Sequence, residues 1–128
     1  MSNIMDISFA FDEYNRLINT PVYDLTLVDA DTLIMIRNRF NDLQATTKYE
    51  SDILRLEMED TLDDNTLIYR GQINEKTNKA YTEKEIEIMN KDPEKKQKKL
   101  EKDKILSLVK GNMDCIDGKV PLVRDHHK

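Results

Sequence analysis

The chain has 128 residues, of which 38% are hydrophobic and 35% are charged, and its formal net charge is −5. One domain of this size with no Trp and only three Phe cannot build a thick core, so we expect a second copy to cover part of its apolar surface. No stretch approaches the roughly 20 apolar residues of a membrane span, and no signal peptide is recognisable, so we expect a soluble, intracellular protein that is not secreted.

Residues 1–28 are predicted to form an N-terminal arm that contains one short helix. Apolar side chains from Phe9 to Ile18 recur with helical spacing, and Pro21 ends the pattern. Residues 22–28 alternate only loosely between apolar and polar. Because the chain offers no obvious partner strand, we expect this stretch to be an extended segment packed on the rest of the protein.

Residues 29–124 are predicted to form a long antiparallel helical hairpin of coiled-coil type, so the predicted fold class is all-α. The first helix should start at Asp29 or Asp31, which suit an N-cap, and end near Tyr69 or Arg70. Its apolar stripe weakens at residues 63–65, which leaves the continuity of the helix open. The residues predicted to form the seam, within the hairpin and between copies of an oligomer of unspecified number, are Leu33, Ile36, Phe40, Leu43, Leu54, Leu106, Val109, Met113 and Ile116.

The chain is expected to reverse between Gly71 and Ala80. A capping box, Thr82 to Glu85, then predicts a short helix, and Asp92-Pro93 predicts the start of the last one. We expect the last helix to stop near Asp117, because Gly118 and Pro121 follow. Residues 125–128 are predicted to be a disordered tail.

No motif in the chain indicates catalysis, a cofactor or a metal. Nucleotide-binding loops, paired Cys or His ligands and nucleophile elbows are missing, so we expect a protein that is not an enzyme. The single cysteine, Cys115, lies next to the stripe of the last helix and is interpreted as a small buried hydrophobic residue in a reducing compartment.

The charges are unevenly distributed along the chain. Residues 1–66 hold 14 acidic and 5 basic side chains, whereas residues 67–128 hold 11 acidic and 15 basic ones. The lysines near the start of the last helix are explained either as a solvated face with i,i+4 ion pairs or as a surface that follows nucleic-acid phosphates. The candidate nucleic-acid-binding residues are Tyr69, Arg70, Lys79, Lys84, Lys95, Lys96, Lys98, Lys99 and Lys102.

The order of elements over residues 22–118 resembles the UvsY-like family of phage recombination mediators. The resemblance is carried by the turn Tyr69-Arg70-Gly71, by the segment Thr82-Glu83-Lys84-Glu85-Ile86 and by the helix start Asp92-Pro93-Glu94. It implies a homo-oligomer in the host cytoplasm that binds single-stranded DNA and helps a RecA-like recombinase to displace single-strand-binding protein. In one member of this family, basic residues before the turn are associated with DNA contact. Here the corresponding stretch is Asp63-Asp64-Asn65-Thr66, so only Tyr69 and Arg70 carry over.

Two alternatives from another class remain. The hairpin could be an interaction adaptor or assembly chaperone that binds protein without nucleic acid, or a regulator that blocks another protein. The sequence does not identify the protein partner or the role of the N-terminal arm.

Overall fold

The computed structural model describes residues 5–69, 72–85 and 93–128, and the side chains of all of these except 61–69. Its fold is all-α with two long helices that pack against each other, which confirms the predicted fold class. The elements are α1 (Ile7–Ile18), a 3-10 turn (Val22–Asp24), α2 (Leu27–Tyr69), β1 (Ile73–Asn74), β2 (Lys79–Ala80) and α3 (Pro93–His126).

Helix α1 forms where the apolar spacing predicts it. Asp6 caps its N-terminus, because one carboxylate oxygen accepts hydrogen bonds from the backbone N–H groups of Ser8 and Phe9. Ala10, Tyr14 and Leu17 form its buried face. The helix ends before Pro21, as predicted.

The segment after α1 is not extended, which corrects the prediction for residues 22–28. Val22–Asp24 form a 3-10 turn, and α2 already begins at Leu27. The cap is Thr26: its hydroxyl accepts a hydrogen bond from the N–H of Asp29 at 3.1 Å, and the Asp29 carboxylate accepts one from the N–H of Thr26 at 2.9 Å. This capping box places Asp29 inside the first turn, so the cap is Thr26 and not, as predicted, Asp29 or Asp31.

The reversal contains a small β-ribbon that the sequence analysis did not predict. Ile73 pairs with Ala80 and Asn74 with Lys79 in antiparallel register. Asn78 adopts a positive φ of 54°, a conformation that Asn tolerates better than most residues. Helix α2 continues without a break to Tyr69, whereas Gly71 lies outside the described residues.

Half of the predicted capping box at Thr82 is seen. The Thr82 hydroxyl accepts a hydrogen bond from the N–H of Glu85 at 3.2 Å. The Glu85 carboxylate accepts one from the side-chain amide of Asn74 at 3.0 Å and so ties this segment to the ribbon. The short helix predicted beyond Glu85 falls largely on residues 86–92, outside the described residues.

Helix α3 passes through Gly118 and Pro121 and ends at His126, so the predicted stop at Asp117 is wrong. A proline inside a helix costs about 3 kcal/mol, but Val120 and Val123 are buried here, and each such side chain contributes about 1.5–3 kcal/mol. Residues 125 and 126 are therefore helical rather than part of a disordered tail. His127 Nε2 lies 2.6 Å from the carbonyl oxygen of Leu25.

The chain divides into two compact units: the first comprises Met1–Lys48 with Lys104–Lys128, and the second Tyr49–Asp103. In the first unit, an apolar core from all three helices includes Leu17, Phe40 and Ile116. Antiparallel packing of α2 on α3 in this unit is marked by two ion pairs, Asp31 with Arg124 and Arg37 with Asp117.

The second unit is built differently. None of its described apolar side chains belongs to the buried core. Its two helices are joined by polar contacts, Glu50 with Lys102, Ser51 with Asp103 and Glu57 with Lys95. The hairpin thus has an apolar seam in the first unit and a polar one in the second.

Candidate nucleic-acid interface

The predicted lysine cluster occupies the first turns of α3. The helix begins at Pro93, whose fixed φ suits the first helical position. Five lysines follow within about two turns, so they point in different directions around the helix. They are Lys95, Lys96, Lys98, Lys99 and Lys102.

Two lysines of the cluster face α2. Lys95 Nζ lies 3.7 Å from a carboxylate oxygen of Glu57, and Lys102 forms an ion pair with Glu50. Both lysine side chains keep about a third of their surface exposed, at 34% and 29%. Their ammonium groups thus help to hold α3 against α2 and are still accessible to solvent.

Two others pair along their own helix. Lys98 Nζ lies 3.4 Å from a carboxylate oxygen of Glu94, and Lys99 Nζ lies 2.7 Å from a carboxylate oxygen of Asp103. Asp103 also accepts a hydrogen bond of 2.7 Å from the hydroxyl of Ser51, a buried residue of α2. The hydrogen bond from Lys99 and then the one from Ser51 hold the pKa of Asp103 below its ordinary value.

Three candidate lysines have no partner in the described part of the chain. Lys79, Lys84 and Lys96 are exposed, and none forms an ion pair or hydrogen bond with a residue that the structure describes. Lys79 lies in β2. Tyr69 is the last residue of α2, but its side chain lies outside the described part of the chain, as does Arg70 altogether.

The lysine cluster is therefore a mixed-charge surface. The second unit has 15 acidic and 11 basic side chains in sequence, and four of the five cluster lysines contact a carboxylate. The pair of Lys98 with Glu94 is the i,i+4 pair that the solvated-face interpretation predicts. A nucleic-acid strand would have to compete with these carboxylates.

Most of the predicted seam residues are buried by contacts within one chain. The buried members are Leu33, Ile36, Phe40, Val109, Met113 and Ile116, and the half-buried ones are Leu43, Leu54 and Leu106. The buried six already fill the core of the first unit, so their surface is not available to a second copy. Self-association would have to use other side chains.

A groove in the first unit was not predicted. It has a volume of about 400 Å³ and lies between α2 and α3. Its lining consists of Asn41, Gln44, Ala45, Lys48, Leu106, Ser107 and Lys110. No acidic residue is among them, and Lys48 and Lys110 are exposed without an ion pair to any described residue.

The register of the two helices explains the groove. Arg37 on α2 pairs with Asp117 on α3; seven residues further along α2 and seven back along α3 are Gln44 and Lys110. Seven residues from the Arg37–Asp117 ion pair, Gln44 thus stands at the position that corresponds to Arg37, and Lys110 at the position that corresponds to Asp117. Sequence reasoning missed this site because only the pairing register shows which residues face one another.

Cys115 is exposed, which corrects its interpretation as a buried side chain. Its thiol is a hydrogen-bond neighbour of Tyr14, an α1 residue in the core. Burial and then this hydrogen bond raise the pKa of Tyr14 to about 12. The pair therefore joins α1 to α3.

Among the described residues, no group of three or more His, Cys, Asp or Glu side chains is arranged to hold a metal ion. Nor does any helix in this part of the chain combine the length and apolar character needed to cross a bilayer. Comparisons with protein-family models, curated proteins and solved structures found no match.

Proposed function

We propose that this protein is a recombination mediator that binds single-stranded DNA and assists loading of a RecA-like recombinase in phage recombination, acting in the host cytoplasm. The observation that supports this best is the set of exposed lysines in the second unit that have no partner among the described residues, Lys79, Lys84 and Lys96. The resemblance in the order of elements over residues 22–118 supports the same assignment. The partners expected from it are the recombinase and single-strand-binding protein.

The paired lysines are compatible with this proposal. Exposed ion pairs contribute only about 0–1 kcal/mol each, so a phosphate group can replace a carboxylate partner at small cost. The displaced carboxylate then repels the strand, which makes each such contact weak. Several copies on one strand would offset this weakness, because linked contacts add avidity without any new interaction.

The test is fluorescence anisotropy with a labelled single strand of about 30 nucleotides, titrated across a salt series beside a duplex control. We compare two triple variants that each remove three positive charges: K79Q/K84Q/K96Q, which removes the lysines without a described partner, and K95Q/K98Q/K99Q, which removes paired ones. For single strands each lysine–phosphate contact contributes about 0.7 to the slope of log affinity against log salt. The first variant should therefore lower the slope by about 2 and the second by less.

Two results would contradict the proposal. One is the lack of strand binding even at low salt. The other is binding whose affinity does not change with salt, since phosphate contacts always release counterions. If the salt slope fell equally in the two triple variants, DNA binding would stand, but the assignment of the binding site to Lys79, Lys84 and Lys96 would be contradicted.

A second candidate function is protein assembly without nucleic acid. The observation that favours it is the second unit, where described apolar side chains such as Tyr49, Leu56 and Leu100 are about half exposed or more. An adaptor would bind its partner through these residues with little dependence on salt. In that case L56E/L100E would abolish partner binding, whereas K79Q/K84Q/K96Q would not affect it.

A further inference from the structure

The groove between α2 and α3 in the first unit has the size of a ligand site and several hydrogen-bond donors. Its volume of about 400 Å³ lies within the range of about 300–1,000 Å³ that is usual for ligand sites. Five of its side chains can donate hydrogen bonds: two lysines, two amides and one hydroxyl. The remaining two, Ala45 and Leu106, are apolar.

The charges around the groove favour an anion. Lys48 and Lys110 each have an aspartate four residues later, Asp52 and Asp114, yet neither lysine forms an ion pair with a described residue. Lys48 on α2 and Lys110 on α3 therefore place two positive charges, without a carboxylate partner among the described residues, on the lining of one groove. An anion bound there would not first have to displace a carboxylate, unlike one bound at the lysine cluster of the second unit.

The hydrogen-bonding groups favour a phosphate in particular. Lysines are common phosphate ligands, and the amides of Asn41 and Gln44 with the hydroxyl of Ser107 add neutral hydrogen-bond donors to the lining. The lining offers no His or Cys and no carboxylate, so a metal cation is a poor fit.

We propose that this groove binds a phosphate group, and that in the complex with single-stranded DNA it holds one phosphate of the strand backbone. The second half of the proposal rests on the proposed function; the first half does not. The groove would give the first unit a strand contact of its own, separate from the lysines of the second unit.

The experiment uses the full chain and two double variants that each remove two positive charges. K48Q/K110Q removes the groove lysines; K104Q/K128Q is the matched control, because both of its residues are exposed in the same unit and neither lines the groove. Circular dichroism melts first show that both variants fold. Strand binding is then measured by anisotropy between 50 and 200 mM salt, and sodium pyrophosphate is titrated into ¹⁵N-labelled protein.

One neutralised phosphate contributes about 0.7 to the salt slope of a single strand, so the affinity of the wild type should fall about 2.6-fold more than that of K48Q/K110Q over this range. The control should follow the wild type. Pyrophosphate should shift the amide resonances of residues 41–48 and 106–110 in the wild type and the control, and not in K48Q/K110Q.

The outcomes separate the two proposals. If the strand binds and K48Q/K110Q has the slope of the control, the groove does not hold a phosphate of the strand, so that half of the proposal is overturned and the proposed function stands. If no strand binds but pyrophosphate shifts the groove amides, the proposed function fails and the groove is a site for a free phosphate compound. If pyrophosphate shifts nothing and the two double variants do not differ, the groove is not a phosphate site.

Discussion

Thr26 and Asp29 exchange two hydrogen bonds at the start of α2, and this pair determines where the helix begins. The sequence contains three plausible caps within six residues, Thr26, Asp29 and Asp31, and all have side chains that can accept from a free N–H. Only the reciprocal bond distinguishes them, because Asp29 at the third helical position can bond back to the N–H of Thr26.

Replacement of Thr26 by Ala should therefore lower the free energy of unfolding by about 1 kcal/mol, the usual value for the loss of an N-cap. Urea denaturation followed by circular dichroism measures this. The control is T32A, because the Thr32 hydroxyl donates to the carbonyl of Val28 inside the same helix, where Ala is the better helix former. Equal losses in the two variants would show that Thr26 does not act as the cap.

At the scale of elements, local helix-breaking signals were the least reliable guide. Gly118 and Pro121 predicted a stop, but Val120 and Val123 lie on the buried stripe and hold the helix in place to His126. The long helices themselves were predictable, because the 3,4 spacing of Leu33, Ile36 and Phe40 needs no tertiary information.

The site was less predictable than the helices. The lysines could be identified from composition, whereas their carboxylate partners on α2 could not, because Glu50 and Glu57 lie 52 and 38 positions away from Lys102 and Lys95 along the chain. The groove depends on the same register. The ribbon was missed because each strand has only two residues, too few for an alternating pattern.

Replacement of Gly111 or Gly118 by Ala should stabilise the protein by about 0.5–1 kcal/mol each. Both glycines lie inside α3, and a Cβ atom at either position would meet no atom within 4 Å, so only the backbone entropy of the unfolded chain changes. Urea denaturation measures the gain in the free energy of unfolding. The control is A45G at an exposed position of α2, which should lower this free energy by a similar amount. A loss of stability in G111A or G118A would contradict the open surroundings of the glycine concerned.

At the scale of the whole molecule, the two units differ in what stabilises them. The first has a core of buried apolar side chains, whereas the described side chains of the second make mainly surface ion pairs and half-buried contacts. Stability should therefore be unequal along the same two helices.

Hydrogen exchange followed by mass spectrometry should detect this difference. Amides in residues 52–58 and 96–102 should exchange at least about tenfold faster than those in 33–40 and 109–120, because local opening exposes little apolar surface in the second unit. The measurement is made at low and high protein concentration. Equal protection at low concentration would contradict the expected difference, and protection that rises with concentration would indicate that a second copy covers the second unit.

The link between α1 and α3 has a consequence for synthesis. Lys119 donates hydrogen bonds to the carbonyl oxygens of Ile18 and Thr20, at separations of 101 and 99 residues along the chain. At about 5–20 residues per second, a ribosome needs roughly 5–20 s to make the chain between these partners. A helix of 12 residues is marginal alone. Helix α1 therefore has to wait for this part of α3 to be made before it can complete its packing, and during that interval its apolar face is open to chaperones.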